Sequence, residues 1–229
     1  MKLIRNPLNE VEMVEIVKHL KPTCEHIKSF AMWGNDIKRN IVEVPEWKDH
    51  ISHDKFLELS SRKRIVDTNE SKNMFKADQA GMANNVNKIK DILKTKYKVN
   101  VDLRGTFYYP PTGFMGWHTN FNSPGERFYV TWASEDNKSF FRYYDDEKDE
   151  IITDYDDKGL TIRQFTIPTG KPYFWHCVGS ECDRFSFGFL INSDITLDFK
   201  IYQKLLNDVG KDNIQDYVNK VIKNSEEFS

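Results

Sequence analysis

The chain has no long apolar run, no excess of either charge and no cysteine set spaced for zinc. Its 229 residues carry 33 basic and 35 acidic side chains, for a formal net charge of −2. No global positive field therefore draws it to nucleic acid. No stretch approaches the roughly 20 apolar residues of a membrane span. The opening Met-Lys-Leu-Ile-Arg-Asn-Pro lacks the apolar core of a signal peptide. Three cysteines (Cys24, Cys177, Cys182) fit a reducing compartment. Internal repeats and low-complexity segments are missing too. These absences predict a soluble cytoplasmic protein with no membrane partner, and they leave its oligomeric state open.

What is present is aromatic. Sixteen Phe, 10 Tyr and 5 Trp make up 14% of the chain, which favours a β-rich globular protein with a lined cavity. Residues 8–20 read as an amphipathic helix, with Asn9 as N-cap and Pro22 closing it. A short strand is predicted at 40–44 and a second helix at 80–96, whose stripe includes Val86, Ile89 and Leu93. His50 and His53 are three apart, but their charged setting favours surface histidines. The basic run at 62–64 likewise reads as a solvated face.

From residue 99 the period changes to two. Strands are predicted near 100–109, 113–119, 126–133, 138–144, 149–154, 160–167, 172–177 and 183–191, with polar turns between them. This spacing predicts an all-β core, a double-sheet jelly roll or double-stranded β-helix of cupin type, with flanking α-helices. The expected organisation is one structural domain: a helical or mixed segment 1–99, the β core 100–191, and C-terminal helices within 192–229 at Ile195–Val209 and Ile214–Ile222.

The stretch 105–120 ends in Gly-Trp-His-Thr-Asn. Residues two apart on a strand share a face, so His118 and Asn120 are expected to look into one space. A second histidine, His176, follows, and then Arg184 and Ser186, again two apart. Two histidines on separate strands, with an Arg and a Ser nearby, suggest a metal and an anionic co-substrate. Each histidine taken singly also suits an ordinary core.

Residues 100–191 resemble the iron(II)- and 2-oxoglutarate-dependent oxygenases. That superfamily carries a His-x-Asp/Glu, a distal His, and an Arg-x-Ser shortly after it. The Tyr-Pro-Pro-x-Gly-Phe-Met-Gly-Trp-His-x-Asn run looks like the lead-in of the prolyl-hydroxylase-like and nucleic-acid-demethylase branches. The resemblance implies Fe(II) at His118 and His176, with Asn120 in the carboxylate position. It implies 2-oxoglutarate on Arg184 and Ser186, with Tyr109, Tyr129 and Arg127 completing the pocket. Trp117, Trp132, Arg142 and Trp175 become candidates for lining the substrate cavity. The activity implied is hydroxylation or oxidative demethylation with dioxygen, releasing succinate and CO2. The substrate would be a small molecule or peptide; nucleic acid is possible but not favoured.

Asn120 departs from the pattern. An amide oxygen can ligate a metal but brings no charge. Asn120 could therefore ligate, could leave a position that chloride fills as in the radical halogenases, or could mark a binding module that has lost its metal. Arg184, buried among phenylalanines, needs an anionic partner. That partner is either the co-substrate or an acid of the chain such as Asp183.

Overall fold

The computed structural model describes residues 3–33, 41–62, 70–76, 83–97 and 100–192. The helices expected at Ile195–Val209 and Ile214–Ile222 lie outside these residues, as do positions 63–64 of the basic run.

Two antiparallel sheets face each other. The larger has the order β1 (Ile4–Arg5), β9 (Gly159–Ile167), β6 (Gly125–Ala133), β11 (Arg184–Asn192), β4 (Asn100–Tyr109), β3 (Phe75–Lys76). The smaller has the order β2 (Ser71–Lys72), β5 (Phe114–His118), β10 (His176–Ser180), β7 (Ser139–Asp145), β8 (Glu150–Tyr155). Strand alternation sorts the side chains into three layers. Outside the larger sheet, Phe128, Val130, Ile162, Phe185, Phe187 and Phe189 pack under helices α1 (Glu10–Trp33) and α3 (Ala83–Tyr97). Outside the smaller sheet, Trp117, Phe140, Trp175 and Cys177 pack with Trp47, Ile51 and, from helix α2 (His53–Ser60), Phe56 and Leu59. Between the sheets lie Tyr109, Phe141, Tyr143, Phe165, Phe174 and Val178.

Helix α1 begins as expected. The Glu12 amide donates to Asn9 Oδ1 (2.9 Å) and the Asn9 amide to Glu12 Oε2 (3.0 Å), a reciprocal cap. It does not stop at Pro22. Thr23 and Cys24 continue the buried stripe of Ile16 and Leu20, so tertiary packing outweighs the bond a proline removes. Helix α3 buries Val86, Ile89 and Leu93, the expected stripe.

Two strand expectations are corrected. Residues 41–44 form no strand. Instead the buried Asn73 side chain accepts from the Val42 amide (3.0 Å) and donates to its carbonyl (2.9 Å), taking the place of a sheet neighbour. The strand expected at 172–177 starts only at His176 and runs to Ser180. The chain turns first, with the Trp175 amide bonded to Tyr173 O at 3.0 Å. Gly179 lies inside the strand. A Cβ there would stand 2.7–2.8 Å from Phe140, Ile51 and Trp47, so the glycine permits their close packing.

Candidate metal and anion site

His118 and His176 are direct cross-strand partners on β5 and β10. Both are buried, with ring centroids 4.1 Å apart. A β-bulge aims the first of them. Between Met115 and His118, three steps on β5 match two on β10, and both side chains come to the inner face. Gly116, inside the bulge, bonds its amide to Glu70 O at 2.7 Å. A Cβ at that position would stand 2.8 Å from the same oxygen.

Each ring is tied back by Nδ1 to the carbonyl two residues upstream: His118 to Gly116 O (2.8 Å), His176 to Phe174 O (2.9 Å). With Nδ1 as donor, Nε2 carries the lone pair on both rings, which is the tautomer a metal requires. Burial and then the neighbouring His118 hold the His176 pKa well below the usual value, so it is neutral at physiological pH.

Asn120 stands beyond the end of β5, in the left-handed region (φ 52°) rather than two residues along a strand. The turn still returns its side chain to the histidines, and Nδ2 donates to His176 Nε2 at 3.1 Å.

These three residues line one side of a cavity of about 310 Å³. Tyr109, Tyr129, Arg127 and Ser186 line it as well. Arg127 is 4% exposed. Its Nη2 donates to the Ser123 carbonyl and hydroxyl, and its Nη1 has no partner. Burial lowers the Arg127 pKa, but a guanidinium stays charged. Burial also raises the pKa of both Tyr109 and Tyr129, keeping them as neutral phenols.

Arg184 stands elsewhere, and the expectation that it faces the co-substrate is corrected. Fully buried, it donates from Nε to Asp156 Oδ2 (2.9 Å) and from Nη2 to Thr131 Oγ1 (3.4 Å), and it is not part of the cavity wall. Asp156 also takes Arg163 Nη1 at 2.6 Å and Ser139 Oγ at 2.5 Å. Burial alone would raise the Asp156 pKa. The charges of Arg163 and Arg184 outweigh that and hold it far below the carboxylate range. The carboxylate paired with Arg184 thus comes from the chain itself, although its Nη1, like that of Arg127, has no partner.

All four predicted substrate-pocket residues face outward. Trp117 and Trp175 precede the two histidines by one residue, so alternation turns them away into the outer cluster of the smaller sheet. Trp132 packs under the helices with Phe185. Arg142 bonds Ile51 O (2.7 Å) and Thr153 Oγ1 (2.8 Å). The cavity is completed by Arg104, Phe107, Met115, Ser123 and Val178, which had not been singled out. Phe107 could have been found by stepping back two from Tyr109, whereas Met115 is hidden by the bulge. His50 pairs with Glu70 and stacks on Phe114, while His53 opens α2, so they form no metal pair.

No family model and no curated protein matches the chain. Among solved structures it is similar to a Pseudomonas putida prolyl-4-hydroxylase (12% identity, 83% of this chain and 91% of that one, TM-score 0.42). It is similar also to a Trichoplax adhaerens prolyl hydroxylase in complex with a hypoxia inducible factor peptide fragment (10% identity, 84% and 83%, TM-score 0.43). A third is a 2OG-Fe(II) oxygenase family oxidoreductase from Burkholderia pseudomallei (11% identity, 65% and 83%, TM-score 0.36). At such scores only the chain's own side chains can speak for a function.

Proposed function

We propose that the chain is an iron(II)- and 2-oxoglutarate-dependent oxygenase on a double-stranded β-helix, acting on a small molecule or peptide. The observation that carries this reading is the pairing of two metal-competent imidazoles with a partnerless guanidinium nitrogen around one cavity. The donor set fits a cation of borderline softness through two neutral nitrogens. The orphaned Arg127 Nη1 fits a carboxylate, since a buried charge without a partner is costly.

In this reading His118 and His176 hold the iron, and the bonds from their Nδ1 atoms to backbone fix ring orientation. Arg127, oriented by Ser123, takes the distal carboxylate of 2-oxoglutarate, with Tyr109, Tyr129 and Ser186 around it. Bound there, iron and 2-oxoglutarate would supply dioxygen activation for hydroxylation or oxidative demethylation. Phe107, Met115 and Val178 give the cavity an apolar wall that limits water. Arg184 serves the fold rather than the co-substrate.

A second reading, a binding module without metal, is favoured by one observation: Asn120 already donates to the His176 nitrogen a metal would need. Anaerobic addition of Fe(II) and 2-oxoglutarate separates the two. The oxygenase reading expects a weak visible charge-transfer band, followed in air by succinate release. Its absence in wild type, with 2-oxoglutarate still bound, would favour the binding module.

A further inference from the structure

Among the described residues, the cavity wall contains no aspartate or glutamate. Its formal charges are both positive: the buried Arg127, and Arg104, whose Nη2 lies 3.6 Å from Asp102 on the exposed side of β4. Nearby carboxylates are engaged elsewhere. Asp156 is held by Arg163, Arg184 and Ser139, and Glu126 accepts from Gln164. A divalent cation arriving alone would meet two imidazoles, an amide and an unscreened guanidinium. It would also have to displace the Asn120 bond to His176 Nε2. An anion arriving alone would meet Arg127 Nη1, which has no partner.

We propose that this site takes cation and anion as one unit, the chain supplying neutral nitrogens and a positive counter-charge while the co-substrate brings all the negative charge. A chelating dianion offsets the two charges of the cation, leaving that of Arg127 and that of Arg104 beside Asp102. Each ligand therefore raises the affinity for the other by the same factor. Asn120 sets this dependence, because an aspartate in its place would give the cation a resident negative charge. The inference rests on the oxygenase reading above and concerns how that site loads.

The test is Mn(II) binding followed by electron paramagnetic resonance, alone and with saturating 2-oxoglutarate. Wild type should bind Mn(II) roughly 10–100-fold more tightly with 2-oxoglutarate than without, the usual range for coupled ligands. Asn120→Asp should tighten binding of Mn(II) alone and shrink that ratio. Arg127→Gln, checked for folding by circular dichroism, should lose the enhancement at the same 2-oxoglutarate concentration. Equal Mn(II) affinity with and without 2-oxoglutarate would overturn the inference while leaving the oxygenase reading intact. Failure of both ligands to bind wild type in any combination would overturn that reading, and this inference with it.

Discussion

Replacing Asp156 by Asn tests the claim that Arg184 is structural. The shape is kept, but the charge goes, and one acceptor oxygen becomes a donor facing a guanidinium. Arg163 would keep Asp154, whose Oδ2 it meets at 2.5 Å and whose carbonyl it meets at 2.9 Å. Arg184 would keep Thr131 at 3.4 Å, the Tyr109 ring 5.3 Å away and at best a neutral amide oxygen. Its fully buried charge would then have no counter-ion. Removing one partner of a buried pair costs about 3–5 kcal/mol, a large share of a typical stability of about 5–15 kcal/mol. In urea this predicts a midpoint lower by about 1.5–2.5 M, for an m-value near 2 kcal/mol/M. The double variant Asp156→Asn/Arg184→Met should recover part of the loss, since it removes the stranded charge. As a control, Asp157→Asn breaks a half-exposed pair with Arg5 and should cost less than about 1 kcal/mol. A loss at Asp156→Asn no larger than the control's would refute the reasoning.

Arg127→Gln should weaken 2-oxoglutarate binding by about 1.5–3 kcal/mol in calorimetry, the range for a charged hydrogen bond. Arg184→Met should lower stability first and affinity less; the reverse order would return the anion role to Arg184. Gly179→Ala should cost about 1–3 kcal/mol in denaturant titration by overpacking Phe140, Ile51 and Trp47. Stability should also fall with acid in two stages, read from urea midpoints across pH. His176 resists protonation when folded, so below the ordinary histidine pKa of about 6.5 the unfolded chain gains a proton that the folded chain refuses. Asp156 has a depressed folded pKa, so its contribution is whole above about pH 4 and drains away below it. His176→Gln should flatten the upper stage only.

Much of the fold was legible because its signals are local. The 3.6-residue stripe of Val86, Ile89 and Leu93 marked α3, and Asn9 with Glu12 marked the start of α1. The change to period two marked the strands from β4 onward. Alternation also held the answer on the tryptophans: if His118 and His176 look inward, Trp117 and Trp175 look outward. What local patterns could not show were long-range substitutes. The helix passes Pro22 because Thr23 and Cys24 find burial. Residues 41–44 are held by Asn73, which lies 31 positions beyond Val42. The bulge at Gly116 breaks the two-residue rule that links Met115 to its neighbours, and only pairing with β10 reveals it. Asn120 comes to His176 through a left-handed turn instead of along a strand.

The two buried arginines show why residue type alone could not assign the anion site. Arg127 and Arg184 lie on the paired strands β6 and β11, and each has an Nη1 with no partner. On pattern alone Arg184 was the stronger candidate, because Ser186 follows it and phenylalanines surround it. The difference lies in what the fold brings to each. The turn after β8 delivers Asp156 to Arg184, and β9 adds Arg163 to the same carboxylate, closing a network that spans both sheets. Arg127 receives only Ser123, a neutral neighbour that orients the guanidinium without offsetting its charge. A buried cation with neutral partners is costly to keep unless something anionic visits it. The place where the chain withholds a carboxylate is thus the place where a ligand is expected to supply one.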